Sequence, residues 1–506
     1  MPRSILDTPL LKKTLADQGK GDRHAHERKL LRDALLQMRE KAEILVQEIP
    51  RDIPGLTVHD VTHLDALWEM AALIAGDNYP LTPAEAFVLG GAILLHDAAM
   101  SLAAYPGGID ELKETTEWRD EAAAIRQELE PDRASTKLDP ESEKEVLARA
   151  LRARHAEQAK KIATRGWSTG LGSEYLIDNG ELRSYYGELI GNIAHSHWWP
   201  VSKLESQLPR SINAARKLPH DWTVDPVRVA CLLRVADAAH LSAERAPRFL
   251  MAIRNPKGQS ALHWSFQTKL GNPRREDDRL IYATGSSFGI EETDAWWLCY
   301  DTLGMVQREL HDVDILLDGT NRTRLAAKQV AGAGSPDMLA KLVRVEGWKP
   351  VDAKLNVSNV PTLVRTLGGE KLYGDNPIYA VRELIQNSCD AIRARRILEK
   401  RPDDWGTITV GLNETTEGVW LVVSDDGIGM SERVLTGPLL DFGQSFWRSS
   451  LAKEEFPGLH AGGMSAIGQF GIGFFSIFML GERVKVTSRR FDTGKDKALS
   501  VWPEKS

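Results

Sequence analysis

The N-terminal half of the sequence carries histidine and aspartate residues whose side chains suit a divalent metal ion. His59 and His63 lie one helical turn apart, and an apolar helical segment ends in the doublet His96-Asp97. The other members of the set are His155, His195, His197 and Asp237. Imidazole and carboxylate groups bind first-row divalent ions, which make water acidic enough to attack phosphorus near neutral pH. The set therefore predicts metal-dependent chemistry on a phosphoester.

Three polar side chains form a stripe on one predicted helix in the C-terminal third. Glu383, Asn387 and Asp390 are separated by four and then three positions, which places them along one helical face. Because their neighbours Ala380 and Leu384 are expected to pack inward, the stripe must face a polar ligand.

Each polar group of this region has a role in binding a nucleoside triphosphate. Asn387 offers a neutral oxygen to Mg²⁺, a hard ion that prefers oxygen ligands. Glu383 can orient and deprotonate the water that attacks the γ-phosphate, which makes it a candidate catalytic residue. Asp425, at the end of a predicted strand, can accept a hydrogen bond from the exocyclic amine of adenine. ATP and Mg²⁺ are therefore the predicted ligands.

Two groups of glycines would let the backbone approach the nucleotide. Gly427 and Gly429 leave room beside the base, on which Met430 can pack. The second group precedes an apolar helical segment, where free amides and a helix N-terminus would cradle phosphate. It comprises Gly468, Gly471 and Gly473. The sequence contains no GxxxxGK[ST] motif, so this is not a Walker-type site.

The elements that must position these residues change in type along the chain. Apolar residues recur at intervals of three and four over residues 28–248, which predicts helices. Within that region, residues 110–143 are interpreted as solvated helix faces and a connecting loop. The segments HWSFQTKL (263–270) and DRLIYATGSSF (278–288) predict a strand pair, and a helix is expected over 291–317.

After a connector at 319–350, the C-terminal third predicts an α/β unit. Its expected elements are a short strand at 354–357, a helix at 379–400, strands at 407–413 and 419–424, a helix around 474–480 and a strand at 483–488.

The order of the metal-binding residues resembles the HD-domain metal-dependent phosphohydrolases, over roughly residues 50–250. Their signature is a His, a His-Asp doublet and a distal Asp on successive helices. The metal set that the resemblance implies is His63, His96, Asp97 and Asp237, with Asp97 also assigned as catalytic. His155 and His195 match histidines that bind a second ion or substrate phosphate in some members, while His59 and His197 are matched less closely. Members often carry a second Asp where this chain has His240.

The segments RELIQNSCDA, DDGIGM and IGQFGIGFFSIFML resemble, in that order, the three boxes of the GHKL ATPases, the group of gyrase, histidine kinases, mismatch-repair ATPases and the ninety-kilodalton heat-shock chaperones. The chaperones are the most similar, from about residue 354 onward. The resemblance implies that residues 431–467 form a lid over ATP. Nucleotide-binding roles fall to Asn387, Asp390, Asp425, Gly427, Gly429, Met430, Gly471, Gly473 and Phe474.

Chaperone members continue with further strands and with a domain that supplies a basic residue to the γ-phosphate. The sequence ends at Ser506. We therefore expect either a fragment of a longer protein or a sheet that a partner completes, and slow ATP turnover by this chain alone.

Composition narrows the class of protein. The 64 Lys and Arg residues against 71 Asp and Glu residues give a net charge of −7, so no overall cationic field attracts nucleic acid or anionic lipid. The three cysteines are scattered, which argues against a disulfide framework and a thiolate zinc site. No apolar run is long enough to span a bilayer and the N-terminus lacks a signal peptide, so a cytoplasmic location without a membrane partner is expected.

We predict a multidomain α + α/β protein. An all-helical HD bundle at residues 1–260 is followed by a small αβ connector at 261–353 and a GHKL α/β sandwich of the Bergerat type at 354–506, incomplete at its C-terminus. The favoured function is an ATP-regulated phosphohydrolase acting on a nucleotide or another phosphoester, with Mn²⁺, Fe²⁺ or Zn²⁺ at the HD site. ATP would act through the connector, and such a fusion indicates stress or phage defence.

Alternatives stay open. The protein could be a chaperone-like ATPase in which the HD bundle is an inactive or partner-binding module. An HD nuclease on single-stranded DNA is less favoured, because no groove of stacked aromatic and basic residues is evident. A homodimer is also left open, since GHKL proteins commonly dimerise.

Overall fold

The chain divides into two compact units, each built from more than one stretch of sequence. The computed structural model describes residues 5–129, 138–351, 378–415, 418–441, 443–468, 471, 473–481 and 483–502. Unit 1 comprises residues 1–112 and 147–353, and unit 2 comprises residues 113–146 and 354–506. Residues 261–353, predicted as a connector, thus lie in the same unit as the helical bundle, while residues 113–146 lie in the unit of the C-terminal third.

Helices dominate the first 350 residues. In chain order they are α1 (Pro9–Thr14), α2 (Ala25–Gln47), α3 (Ile49–Asp52), α4 (Val61–Ala75), α5 (Pro83–Leu95), α6 (Gly108–Lys113), α7 (Thr116–Leu129), α8 (Pro140–Ile162), α9 (Gly180–Ser196), α10 (Leu204–Gln207), α11 (Pro226–Ala239), α12 (Arg248–Arg254), α13 (Gly258–Lys269), α14 (Thr293–Gly319) and α15 (Pro336–Leu339). The strands of this part are β1 (Gly166–Thr169), β2 (Gly172–Tyr175), β3 (Arg274–Glu276), β4 (Arg279–Ile281) and β5 (Gln329–Val330).

Helix α5 is the central element of unit 1. Every one of its residues is buried, and it packs against α2, α9 and α11. A Cβ on Gly90 would lie 2.7 Å from a Leu35 methyl carbon, and one on Gly91 would lie 2.8 Å from Ile190. Glycine therefore allows two neighbouring helices to approach α5 closely. Thr82 and Glu85 form a capping box that fixes where the helix begins.

The predicted strand pair at 263–288 is wrong in its first half. Residues 263–269 belong to helix α13, which packs against α14. The alternation of Trp264 and Phe266 is typical of a strand, but the helix buries both, because tertiary packing outweighs local propensity. The true hairpin pairs β3 with β4 in antiparallel register, and β5 joins β4 in parallel. The helix predicted at 291–317 is confirmed as α14.

Unit 2 contains the predicted α/β elements of the C-terminal third. They are α16 (Ile378–Glu399), β6 (Ile408–Thr415), β7 (Gly418–Asp425), α17 (Glu432–Thr436), α18 (Ser450–Glu455), β8 (Val486–Ser488) and β9 (Leu499–Val501). β6 and β7 form a hairpin, β8 pairs antiparallel with β9, and α16 packs on the hairpin. A 3-10 helix at Gly473–Met479 replaces the predicted helix around 474–480. The strand predicted at 354–357 lies outside the described residues.

Residues 113–146 correct another interpretation. Asp120 and Glu121 of α7 are 4% and 7% exposed, so this part of the stretch 110–143 is not a solvated helix face. None of the helices described combines the length and apolar character needed to cross a membrane.

Candidate functional site

Four side chains from three parts of unit 1 converge in its interior. His63, His96, Asp97 and Asp237 each offer an atom within 4.8 Å of the others. His96 Nε2 lies 3.2 Å from the Asp97 carboxylate and 3.5 Å from that of Asp237. His63 Nε2 lies 3.8 and 3.6 Å from the same two groups. We name these four residues the first cluster.

The local structure explains this convergence. The doublet His96-Asp97 directly follows α5, and Asp237 lies in the last turn of α11. Glu85, in the first turn of α5, forms a buried ion pair with Arg228, in the first turn of α11, at 2.5 Å. Since this pair aligns the starts of two helices of similar length, their ends also meet.

The Nε2 atoms of two imidazole rings face the cluster. His96 Nδ1 donates to the Ile93 carbonyl at 2.8 Å, so Nε2 carries the lone pair whenever the ring is neutral. His63 Nδ1 lies 2.8 Å from Nδ1 of His240. The Nε2 atoms of His63 and His96 are buried and make no hydrogen bond to any described residue. Such orphaned atoms fit a metal ion, so the donor set suits a divalent transition metal.

The electrostatics of the first cluster favour a cation. Burial opposes a charge on His96, but the carboxylates of Asp97 and Asp237 outweigh it and raise the pKa of His96 well above its ordinary value. Burial likewise opposes the charge of Asp97, yet His96 lowers the pKa of that carboxyl well below its usual range. Burial and the charge of Arg245 lower the pKa of His63 well below its ordinary value. Against burial, His96 likewise lowers the pKa of Asp237, so both carboxylates favour a positive charge beside them, which either a proton on His96 or a metal ion in its place can supply.

Asp97 also belongs to a second cluster, with His155 and His197. His155 Nε2 lies 3.7 Å from Asp97 and 3.0 Å from His197 Nε2. Both rings use Nδ1 to donate to a backbone carbonyl three residues earlier, Arg152 for His155 and Ala194 for His197. Their Nε2 lone pairs therefore face each other, an arrangement that a cation between them would relieve. Burial lowers the pKa of His197 to about 3, so its ring is neutral.

The structure places His195 outside both clusters. Its ring lies edge-on to Trp199, with the centroids 5.1 Å apart, and its Nδ1 atom is buried without a hydrogen bond to a described residue. His197, which the sequence matched less closely, takes the position beside His155. The sequence holds a signal for this choice, because residues two apart on a helix point about 200° away from each other, so only one can face α8.

Sequence reasoning missed a buried arginine beside the first cluster. Arg245 donates to His59 Nε2 at 2.6 Å, and His59 in turn donates from Nδ1 to the Thr57 carbonyl at 2.7 Å. Arg245 also helps to line a cavity of about 280 Å³. The lining residues are Val58, Thr62, His63, His240, Glu244 and Arg245. The cavity is therefore lined both by the guanidinium of Arg245 and by His63 of the first cluster.

In unit 2, α16 brings the predicted nucleotide-binding stripe to the glycine-rich segment. The Asp390 carboxylate is fully buried and accepts hydrogen bonds from the amides of Ile467 and Gly468, both at 2.9 Å. A Cβ on Gly468 would lie 3.4 Å from the Asn387 amide oxygen. A Cβ on Gly473 would lie 2.3 Å from Glu383 Oε2, so glycine allows the segment to approach α16.

The turn after β7 is fixed from two sides. Asp425 accepts a hydrogen bond from the Gly427 amide at 2.8 Å, and the Met430 amide donates to the Ser488 hydroxyl at 2.9 Å. Gly429 has φ of 69°, and a Cβ there would lie 1.8 Å from the Arg489 carbonyl. Gly471 also has a positive φ, of 63°. Phe474 lies in the 3-10 helix Gly473–Met479.

Comparison with known proteins identifies the two parts. Residues 53–312 match the family model described as HD-CE, and residues 376–502 match the model described as Histidine kinase-, DNA gyrase B-, and HSP90-like ATPase. The chain therefore joins an HD-type domain to an ATPase domain of the GHKL type, which confirms both resemblances and the mixed α + α/β fold. Because the first match covers more than half of the sequence, the chain belongs to the HD-CE family.

Two curated relatives match the ATPase part. The chaperone protein HtpG of Rhizobium meliloti (strain 1021) is 37% identical over 133 residues, which cover 25% of this chain and 20% of the relative. The endoplasmin homolog of Leishmania infantum is 33% identical over 145 residues, which cover 26% and 18%. The chain thus spans about a fifth of the length of these relatives. No solved structure matches the chain.

Proposed function

We propose that this protein is an ATP-regulated, metal-dependent phosphohydrolase that acts on a nucleotide or another phosphoester. The observation that carries the proposal is the pair of histidine clusters that share Asp97, in the first of which the buried Nε2 atoms of His63 and His96 make no hydrogen bond to any described residue. A divalent ion such as Mn²⁺, Fe²⁺ or Zn²⁺, when bound there, supplies Lewis-acid charge and makes water acidic. A role in stress or phage defence stays a prediction from the domain combination.

Asp97 is the residue that we assign closest to the reaction. Its Oδ2 atom faces His63 and His96, and its Oδ1 atom faces His155. One carboxylate thus orients both clusters, and its low pKa keeps it ionised while the reaction proceeds. Loss of Asp97 is therefore expected to impair both clusters at once.

The substrate phosphate is proposed to bind in the cavity beside Arg245. Guanidinium groups bind phosphate oxygens through paired, charge-assisted hydrogen bonds. Arg245 lines this cavity together with His63, while its guanidinium also donates to His59 and to the carbonyls of Val58 and His240. A volume of about 280 Å³ lies just below the usual range for drug-sized ligands, which suits a compact phosphorylated molecule or one end of a nucleotide.

For unit 2 we propose that ATP with Mg²⁺ binds along α16. Asn387 lies beside Gly468 and is assigned the Mg²⁺-facing oxygen, while Glu383 lies against Gly473 and is assigned the attacking water. Asp390 positions the glycine-rich segment through its two backbone hydrogen bonds. Asp425, at the end of β7, is assigned to the adenine amine.

The test is metal content and turnover of the purified full chain after removal of metals with EDTA and return of Mn²⁺. Against a panel of nucleotides and phosphoesters, we expect turnover that His96→Ala and Asp97→Ala lower by about 100-fold or more, with loss of bound metal. His220→Ala is the matched control, because His220 is exposed. Metal-free protein, or variants with unchanged turnover, would contradict the proposal.

The alternative is a chaperone-like ATPase with an inactive HD bundle, and the similarity of residues 376–502 to chaperones favours it. In that case Asn387→Ala abolishes the function while His96→Ala and Asp97→Ala leave it intact. The opposite pattern supports the phosphohydrolase. Prevention of aggregation of an unfolded client protein, measured for all three variants, separates the two functions.

A further inference from the structure

Two acidic residues of α7 hold the segment that we name the lid segment, residues 431–467. The Asp120 carboxylate accepts hydrogen bonds from the backbone amides of Gly458 at 2.6 Å and Ala461 at 2.7 Å. Glu121 contacts Lys453 Nζ with both carboxylate oxygens, at 2.8 and 2.9 Å. Because both acids are buried, these charged contacts are shielded from water, and the shielding strengthens them.

The apolar side of α7 is buried as well. Trp118, Ala122 and Ile125 are between 3% and 7% exposed, although the stretch that contains them, residues 110–143, is predicted to form solvated helix faces and a connecting loop. We name residues 113–129 and 138–146 the docking segment. Burial on the apolar side of α7 and charged contacts on its other side make α7 an integral part of unit 2.

The stretch that Asp120 holds is joined to the proposed ATP site by a short, packed path. The amides of Ile467 and Gly468 donate to Asp390 of α16. Only six positions separate Ala461 from Ile467, which a peptide spans in at most about 20 Å. Met464 lies within this path and Leu459 just before it. Both belong to the same hydrophobic cluster as Ala394 of α16, and all three are almost fully buried.

Helix α8 joins the docking segment to the metal centre. Lys113, just before α7, contacts the carboxylate of Glu143 in α8 at 2.6 Å, and α8 continues from Pro140 to Ile162. It carries His155, whose Nε2 atom lies 3.7 Å from Asp97. The peptide hydrogen bonds of a continuous helix let a displacement at one end reach the other.

We propose that the docking segment couples the nucleotide state of the lid segment to the HD metal centre, with Asp120 and Glu121 as the contacts that transmit the change. The inference rests on the proposed function and concerns its regulation. It assigns the coupling to the docking segment rather than to residues 261–353, all of which lie in unit 1.

The first test is hydrogen–deuterium exchange of the full chain with and without a nonhydrolysable ATP analogue and Mg²⁺. Nucleotide that orders the lid segment should slow exchange in α7 by about threefold or more. Asp120→Ala should abolish that change while analogue binding, measured by calorimetry, persists. Glu114→Gln is the control, because Glu114 is an exposed acid of the same segment. Bound analogue with unchanged exchange in α7 overturns the coupling alone, whereas absence of binding overturns the proposed ATP site.

The second test exchanges the charges of one ion pair. Glu121→Lys and Lys453→Glu should each reduce the effect of the analogue on phosphohydrolase turnover by about fivefold or more, and the double variant should restore at least about half of it. Turnover without nucleotide should stay within about twofold of the parent in every variant. A double variant no better than either single one, with all three folded by circular dichroism, would overturn the role of this pair.

Discussion

At the residue scale, His195 and His197 offer a matched pair on one helix end. His197→Ala should lower the bound metal from about two ions to about one per chain, since two histidine clusters share one carboxylate. His195→Ala should leave the metal content unchanged, because His195 lies outside both clusters. Elemental analysis of the purified proteins measures both. Equal metal loss in the two variants would show that the second cluster is not a binding site.

A second prediction concerns the contact between Arg245 and the substrate phosphate. Arg245→Gln should lower kcat/KM by about 10- to 100-fold, mostly through KM, because a charge-assisted contact to phosphate is lost. Bound metal should stay the same, since Arg245 is not part of either metal cluster. Steady-state kinetics with matched metal analysis test this. Arg274→Gln is the control, because Arg274 is exposed on β3.

The resemblance to the HD-domain family was enough to predict His63, His96, Asp97 and Asp237 as a set, and the structure brings those four together. The same reasoning missed Arg245, because an isolated arginine has no motif, and only the tertiary fold carries it to His59. Whether these residues hold a metal stays a prediction.

At the element scale, α14 and the strands around it contribute to the stability of unit 1. Phe288 is fully buried between these elements, whereas Phe249 on α12 is 80% exposed. Phe288→Ala should therefore cost about 3 to 5 kcal/mol of unfolding free energy, and Phe249→Ala about 0.5 kcal/mol or less. Urea unfolding followed by tryptophan fluorescence gives both values. Similar losses for the two variants would contradict the assignment of residues 261–353 to the core of unit 1.

Helices with strong periodicity and the β6–β7 hairpin were predicted closely. Helix α16 was expected at 379–400 and lies at Ile378–Glu399. The strand predicted at 263–270 was wrong because the alternation of aromatic residues is equally compatible with a helix whose neighbours bury both faces. The prediction that the docking segment is solvated failed for another reason. A charged stretch is exposed only where no partner covers it, and the partners of Asp120 lie more than 300 positions later in the sequence.

At the scale of the whole molecule, each unit should respond to its own ligand. Return of Mn²⁺ to EDTA-treated protein should raise the melting temperature of one calorimetric transition, because an ion that binds only the folded state stabilises it by about 2.7 kcal/mol at 100 times its Kd. The ATP analogue with Mg²⁺ should raise the other. His96→Ala with Asp97→Ala should remove only the Mn²⁺ response. A single transition that both ligands shift equally would contradict two separately bound units.

Unit 2 is built from two separate stretches of the sequence, and this has a consequence for biosynthesis. Asp120 leaves the ribosome 338 residues before its partner Gly458, and at about 5 to 20 residues per second that delay is roughly 17 to 70 s. Throughout it, Asp120 and Glu121 of α7 lack the partners that they have in the folded protein, Gly458, Ala461 and Lys453. Nascent-chain chaperones are therefore expected to be needed for this stretch more than for any helix of the bundle, and slower translation of the last third should lower the yield of native protein.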